Sequence, residues 1–260
     1  VAGGSGQIGK HTVDILLKNG AKVINLDFIE KKLNHKNYFF YKIDLSQEKE
    51  IINFKKFFIK KFKKINILIN HSHYKGNFKK LEPKNNFFSK LENYPSDEWK
   101  KTIDVNLNGM FYLTKHFIKL LIKNNSSVIL NTSSTYGKVS PNMNIYGTSG
   151  INAPIGYTTT KSAIIGFTKY VATHYAKKGL RANILVPGGV KNIKDAKEIL
   201  EITGLPVLIK AAGGGGGKGM KIVEEESQLE NLFLTAKNEA KKYFGNDEVY
   251  IEKYFKRPRH

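Results

Sequence analysis

A tyrosine and a lysine four residues apart, Tyr157 and Lys161, open an apolar stretch of helical character. On a helix that spacing puts both side chains on one face. A nearby ammonium favours the phenolate and lowers a tyrosine pKa from about 10 toward a range useful for acid–base work. The bare pattern has little force, because Tyr38 and Lys42 match it too in a chain with 13 Tyr and abundant Lys. Position separates the pairs. Tyr38 lies at a predicted strand start, where the pair would not share a face. Tyr157 begins a helix after the strand SVILNTSS, on the carboxyl side of the sheet, where ligands sit in doubly wound folds.

Two glycine-rich stretches carry different chemistry. In AGGSGQIG, Ala2 to Gly9, the residues Gly3, Gly6 and Gly9 follow a strand and open a helix. Such a loop lets backbone N–H groups approach a pyrophosphate at the positive end of the helix. Asp27 ends the next strand, 18 residues past Gly9. There a carboxylate would accept hydrogen bonds from an adenosine ribose and repel a 2′-phosphate, which points to NAD over NADP. The plain alternative is a turn residue at a strand end. The second stretch, IKAAGGGGGKGM from Ile209 to Met220, is not a mononucleotide P-loop. That pattern needs Gly where Ala212 stands and Ser or Thr where Gly219 stands. The run Gly213, Gly214, Gly215, Gly216 and Gly217 instead lies between two predicted strands, as a flap whose N–H groups could fold over phosphates. Lys210 at the strand end would meet a phosphate as a point charge. An isolated glycine run is otherwise a linker.

The elements that must position these residues alternate between strand and helix in the first part. Gly6 to Lys18 reads as a helix closed by Asn19-Gly20, and Lys22 to Asp27 and Phe39 to Asp44 read as strands. Ser46 is expected to cap a basic helix ending near Lys64. Ile65 to Asn70 is a buried strand, Asp104 to Lys123 a long helix, Ser127 to Ser134 a strand, Tyr157 to Lys178 a helix, and Arg181 to Gly189 a strand and turn. The alternation predicts an α/β fold with a doubly wound parallel sheet of Rossmann type. The tail differs. It reads as a helix, Ile193 to Thr203, closed by Gly204, then the strands LPVLIKA and MKIVEE, a helix from Gln228 to Phe244, and a strand from Glu248 to Phe255. That is an α+β hairpin pattern and not a continuation of the parallel sheet.

Composition divides the chain at the same place. Val1 to Asn192 carries 31 Lys+Arg against 11 Asp+Glu, whereas Ile193 to His260 carries 12 against 11. The expected domains are therefore 1–192 and 193–260. In IINFKKFFIKKFKKI the residues Ile51, Ile52, Phe54, Phe58, Phe62 and Ile65 are roughly helically spaced, so the lysines between them form a solvated face more readily than a nucleic-acid groove. The chain has no cysteine, which excludes disulfides and thiolate metal sites and fits a reducing, cytoplasmic setting. No apolar run is long enough to span a membrane. His71 and His73 lack further ligands and read as polar loop residues, with no metal expected.

Taken together and in order, AGGSGQIG, Asp27, Asp44-Leu45, LINHS, VNLNG, LNTSS, YTTTK and VPGG make residues 1 to about 192 resemble the short-chain dehydrogenase/reductase family. The resemblance implies an NAD(P)-dependent oxidoreductase that interconverts an alcohol and a carbonyl of a small-molecule substrate. It implies Tyr157 as general acid/base and Lys161 as the residue that holds the ribose and tunes it. Ser134 would hydrogen-bond the substrate oxygen, and Asn106 would hold a helix turn and a proton-relay water. It assigns Gly3, Ser5, Gly6, Gln7, Ile8 and Gly9 to the cofactor loop. Asp44 and Leu45 would flank the adenine, Asn70 would sit against the cofactor, and Pro187 and Gly188 would border the nicotinamide. It also implies a homo-oligomer formed through the helices at 104–123 and 157–178. The departures are Ala2 for the usual Thr, Gln7 for the middle Gly, Asn70-His71-Ser72 for Asn-Ala-Gly, and a separation of 23 residues between Ser134 and Tyr157.

Residues 194–260 resemble the ATP-grasp lid of biotin carboxylases, through GLPVLIKAAGGGGGKGMKIV, FGNDEVYIEKYF and RPRH. This implies ATP as a second ligand. Lys210 would touch phosphate under the Gly213 to Gly217 flap, Glu252 and Lys253 would contact adenine, and His260 would lie near the ribose or phosphates. The expected whole is an oxidoreductase scaffold truncated at both ends and joined to a partial ATP-grasp segment. The alternatives are an ATP-binding fragment of a biotin-dependent carboxylase and a catalytically inactive chimera of the two.

Overall fold

The computed structural model describes residues 1–76, 86–124, 126–141, 152–187, 192–211, 220–245 and 247–254. The chain divides into two compact units, Val1–Val186 and Pro187–His260.

The first unit is built on a parallel sheet. Strand β1 (Val23–Asp27) pairs with β2 (Tyr38–Lys42), and β3 (Ile67–Asn70), β4 (Ser127–Thr132) and β5 (Leu180–Leu185) pair in that order. Ala2 joins the two groups, bridging Leu26 on one side and Asn70 on the other. Its N–H donates to the Ile69 carbonyl at 2.8 Å, and the Gly3 N–H donates to that of Leu26 at 2.8 Å. Val1 and Ala2 thus form the middle of the sheet, and the glycine loop leaves from its centre. Between β1 and β3, at their amino ends, an apolar cavity of about 450 Å³ is lined by Val23, Phe54, Phe58, Leu68 and Phe117 among others.

Helices α1 (Gln7–Lys18), α2 (Glu48–Lys61), α3 (Ser96–Ile103), α4 (Gly109–Leu121) and α5 (Ile155–Tyr175) connect the strands. Successive residues of a strand face opposite sides of a sheet. Leu26 accordingly packs in one core with Ile51, Phe54 and Phe58 of α2 and Leu113 and Phe117 of α4, whereas Val23 packs with Val13 and Leu17 of α1 in another. Helices on both faces cover the parallel sheet, as a doubly wound fold requires. The lysine-rich segment buries Ile51, Phe54 and Phe58 and leaves Ile52 exposed, so its basic face is the solvated side of an amphipathic helix.

Three expectations need correction. Ser46 does not cap α2. Its hydroxyl donates to Asp44 Oδ1 at 2.7 Å, and Gln47 takes the cap position with no side-chain hydrogen bond. The helix expected over 104–123 is part of an unbroken helical run from α3 into α4, and its first residues, Asp104–Asn108, form a π-turn. Tyr38 and Lys42 fall in β2, where residues four apart share a side but lie about 13 Å apart. Extension, not opposite facing, separates that pair.

The second unit has a three-stranded antiparallel sheet, ordered β7 (Met220–Val223), β6 (Val207–Ala211), β8 (Val249–Lys253). Val207, Ile209 and Ala211 of β6 are buried in one core with Ala196 and Leu200 of α6 (Ile193–Thr203) and Phe233, Ala236 and Ala240 of α7 (Leu229–Phe244). Strand alternation then puts Lys210 on the opposite face. Asn192 caps α6 by accepting the Asp195 N–H at 3.0 Å. Glu225 and Gln228 form a capping box, which gives the acidic run Glu224 to Glu226 a structural role.

Candidate functional site

The loops at the carboxyl ends of the parallel strands converge in the first unit, away from the apolar cavity. Gly3 has φ +75°, in the left-handed region that favours glycine, and a Cβ there would lie 2.5 Å from the Ser72 backbone nitrogen. A Cβ on Gly9 would lie 2.0 Å from the Gly3 carbonyl oxygen. The loop is therefore pressed on the β3 loop and on the first turn of α1. No side chain caps α1, so its first N–H groups, from Gln7, Ile8 and Gly9, are available to an anion. Asp27 holds the loop: Oδ2 accepts the Ser5 N–H at 2.9 Å and Oδ1 accepts that of Ile29 at 3.1 Å. Each oxygen keeps a further lone pair for a ligand hydroxyl. Asn70 donates to Asn131 Oδ1 at 2.7 Å, while its own buried Oδ1 is without a hydrogen-bond partner. The cradle, the uncapped helix start, the carboxylate and this orphaned acceptor fit a dinucleotide.

Tyr157 and Lys161 share one face of α5. Lys161 Nζ lies 5.6 Å from the Tyr157 ring centroid and donates to the Thr132 carbonyl at 2.7 Å. Its residue is only 2% exposed. Burial disfavours the ammonium and pulls its pKa down to about 8. The end of β4 is fastened to the same point, since Ser133 Oγ donates to the Lys161 carbonyl at 2.7 Å. Ser134 follows, buried, and its Oγ accepts the Tyr136 N–H at 3.3 Å. Asn106 occupies the π-turn. Its Nδ2 donates to Thr160 Oγ1 at 3.2 Å, and its Oδ1 accepts the Tyr74 N–H at 2.6 Å. The extra residue of a π-turn re-aims side chains, and here it ties α3–α4, α5 and the β3 loop together.

The structure thus brings together Gly3, Ser5, Gly6, Gln7, Ile8, Gly9, Asp27, Asn70, Asn106, Ser134, Tyr157 and Lys161 around the carboxyl ends of the strands. Asp44 and Leu45 follow β2. Asp44 holds Ser46, and Leu45 is buried with its carbonyl against Gly109 at the start of α4. Pro187 begins the second unit, and Gly188 lies outside the described residues.

Two histidines belong to the site in a way their sequence context did not show. The His71 ring bridges Thr12 Oγ1 at 2.9 Å through Nε2 and Thr132 Oγ1 at 2.6 Å through Nδ1. Burial first, then the Val1 amine and Lys161, push its pKa down to about 4. His73 packs edge-on against Tyr157, with centroids 5.4 Å apart. Both lie in the loop after β3 as polar residues, His71 bonded on two sides and His73 exposed but packed against Tyr157. No group of three or more His, Cys, Asp or Glu able to hold a metal occurs among the described residues. No helix there is long and apolar enough to cross a membrane.

In the second unit Lys210 forms an ion pair with Glu252 across β6 and β8, and that carboxylate raises the Lys210 pKa. Gly213 to Gly217, the Lys253 side chain and His260 lie outside the described residues.

Comparison with known proteins finds two family models, which overlap over residues 173–201. The family model described as carbamoyl-phosphate synthase L chain, ATP binding domain, matches residues 173–260. A pyruvate carboxylase of Staphylococcus aureus is 58% identical over 73 residues, covering 28% of this chain and 6% of that protein. A biotin carboxylase of Haemophilus influenzae is 51% identical over 74 residues, covering 28% of this chain and 16% of that protein. The chain therefore spans a small part of these curated relatives. The second unit is thus similar in sequence to the ATP-binding segment of biotin-dependent carboxylases. A crystal structure of a short chain dehydrogenase from Leptospira borgpetersenii with bound NAD+ superposes with a TM-score of 0.62 at 30% identity, covering 75% of this chain and 74% of that one. The short chain dehydrogenase family model matches residues 1–201, so with its parallel sheet, glycine loop and Tyr157–Lys161 pair the chain belongs to that oxidoreductase family.

Proposed function

We propose that the first unit interconverts an alcohol and a carbonyl by hydride transfer, using NAD in preference to NADP, with Tyr157, Lys161, Ser134 and Asn106 as its machinery. The observation that carries this reading is the buried Lys161 ammonium, fixed by the Thr132 carbonyl at 2.7 Å and set 5.6 Å from the Tyr157 ring centroid. A bound nicotinamide dinucleotide supplies the hydride acceptor or donor. Tyr157 takes the proton from the substrate hydroxyl in oxidation and returns it to the substrate oxygen in reduction. Lys161 stabilises the phenolate that takes the proton in the first case and is left behind in the second. Ser134 Oγ orients the substrate oxygen, and Asn106 keeps the turn beside Thr160 in place. The α1 start and Gly3, Ser5, Gly6, Gln7, Ile8 and Gly9 hold the pyrophosphate. Asp27 holds the ribose and repels a 2′-phosphate. Asp44 and Leu45 border the adenine, Asn70 backs the cofactor, and Pro187 and Gly188 close the nicotinamide end.

A second reading concerns the tail, and the Lys210–Glu252 pair on the sheet face opposite the helices favours it. There Lys210 contacts the phosphates of ATP and Glu252 and Lys253 the adenine, as a nucleotide-binding part of a biotin-dependent carboxylase. The test is one panel of assays: NAD and NADP titrated by calorimetry, alcohol oxidation followed by NADH absorbance, and ATP binding. Tighter NAD binding and turnover lost in Tyr157→Phe support the first reading. Equal affinity for the two dinucleotides sinks the NAD preference. Binding of ATP alone, lost in Lys210→Ala, leaves only the second reading.

A further inference from the structure

We propose that His73 is a substrate-contacting residue of the first unit, whose Nε2 lone pair accepts a hydrogen bond from a hydroxyl on the carbon next to the reacting one, so that the site takes vicinal diols and the corresponding hydroxy-carbonyl compounds. This rests on the reading of Tyr157 as the acid–base group.

The loop after β3 is clamped on both sides of His73. His71 is bonded through both ring nitrogens, to α1 and to β4. The Tyr74 N–H is bonded to Asn106 Oδ1, and its hydroxyl donates to Glu98 at 2.8 Å. With the chain held at His71 and at Tyr74, His73 has little freedom to leave Tyr157. Its ring stands edge-on to the phenol, 5.4 Å between centroids and 65° between planes. His73 Nδ1 lies 2.8 Å from the Tyr74 carbonyl oxygen. A carbonyl only accepts, so Nδ1 carries the hydrogen, and in the neutral ring Nε2 is then an acceptor with its lone pair exposed. Among the described residues no hydrogen bond ends on that nitrogen. Desolvation, then the Lys161 ammonium, lower the His73 pKa, while the residue as a whole stays open to solvent.

The site therefore sets an acceptor beside a phenol that exchanges the substrate proton. Ser134 and Tyr157 are matched to one oxygen, and neither needs a second. A neutral imidazole acceptor on a ring 5.4 Å from that of Tyr157 suits an O–H donor on the neighbouring carbon and gives a simple alcohol nothing.

The probes are butane-2,3-diol and butan-2-ol, oxidised with NAD. His73→Phe keeps the ring packing and removes the acceptor. It is expected to lower kcat/KM for the diol by about tenfold, the worth of one neutral hydrogen bond, and to change that for butan-2-ol by less than about threefold. His73→Gln, which offers an oxygen near the Nε2 position, should restore most of the loss. Equal losses on both alcohols would mean that His73 acts on Tyr157 alone, and no loss would mean that it touches nothing; either overturns the proposal. If the unmodified chain oxidises neither alcohol, it is the Tyr157 reading that fails. The ring itself then decides: in chain labelled with ¹⁵N-histidine and mixed with NAD, the diol should shift the His73 Nε2 resonance more than butan-2-ol does. An unmoved resonance overturns the proposal by itself.

Discussion

Lys161 and Lys210 are the same side chain in two opposite environments. Lys161 is buried, bonded to a neutral carbonyl, and its pKa is pulled down to about 8 by desolvation. Lys210 is partly open to solvent, paired with the Glu252 carboxylate, and its pKa is raised by it. The first can respond to a change of charge on a neighbouring phenol, because little screens it. The second is a fixed point charge that solvent and salt moderate. On the proposed functions, the first would serve proton chemistry and the second would hold an anion.

The largest expected effect breaks or upholds that division directly. Tyr157→Phe should lower any alcohol or carbonyl turnover by roughly 10²-fold or more, as loss of a positioned acid/base does. Lys210→Ala and Tyr38→Phe should leave the same steady-state rate within about twofold. Tyr38 serves instead as an anchor, accepting from Asn25 Nδ2 at 3.0 Å and donating to the Lys31 carbonyl at 2.9 Å. Comparable losses from Tyr157→Phe and Tyr38→Phe would show that the wrong tyrosine was assigned.

Backbone crowding gives the next effect. In Gly9→Ala the new methyl would lie 2.0 Å from the Gly3 carbonyl oxygen and 2.7 Å from Gly4 Cα, both backbone atoms. We expect loss of measurable NAD binding by calorimetry and a fall in urea-unfolding free energy of about 2–3 kcal/mol. Gly166 lies inside α5, and a Cβ there meets nothing within 4 Å. Gly166→Ala should therefore stabilise the first unit by about 0.5–1 kcal/mol. If the two substitutions behave alike, the glycine loop is not held as tightly as its geometry requires.

Acid should act on the first unit through His71. Its folded pKa of about 4 lies below the ordinary 6.5. Between those values the unfolded chain binds the proton and the folded chain does not. Stability from this group is complete above pH 6.5 and falls as pH drops toward 4. His71→Gln should flatten that part of the profile of unfolding midpoint against pH. An unchanged slope would assign the acid sensitivity elsewhere.

What the sequence made legible follows from how local each signal is. The glycine loop, Asp27 and the Tyr157–Lys161 pair depend on spacing within one element or one βα unit. Their elements appear where the periodicity put them, and the helix Ile193–Thr203 with Gly204 does so to the residue. The tail's hairpin was legible too, because β6 and β7 are separated by a glycine run and not by a helix, whereas the pairing of β8 with β6, reached through α7, was not. The clamps were not legible. His71 reaches Thr12 and Thr132, and Asn106 reaches Tyr74 and Thr160, across 32 to 61 residues with no periodic pattern linking them. Ser46 misled because Asp44, two residues back, competes for its hydroxyl, as short polar side chains do near turns. The π-turn was hidden inside a continuous apolar period. Two signals could have flagged the histidines: His71 stands in the LINHS motif of the resemblance, and both follow the end of a strand that faces ligand.

The smallest expected effect sharpens the comparison of the two lysines. Lys210→Met removes an ion pair whose Glu252 side chain is 42% exposed. Partly exposed pairs contribute about 0–1 kcal/mol and are screened by salt. The raised Lys210 pKa makes this contribution present through neutral pH and lost only as pH climbs above the ordinary lysine value of 10.5. Urea unfolding of the second unit should therefore shift by less than about 1 kcal/mol, and the shift should shrink between about 0.05 and 0.5 M NaCl. Lys161→Met takes the partner from a buried Thr132 carbonyl instead, for which about 1–3 kcal/mol is lost through desolvation that salt does not reach. A loss at Lys161 that faded with salt, or one at Lys210 that did not, would reverse the roles given to the two residues. It would place the unscreened, tunable cation in the ATP-grasp-like unit.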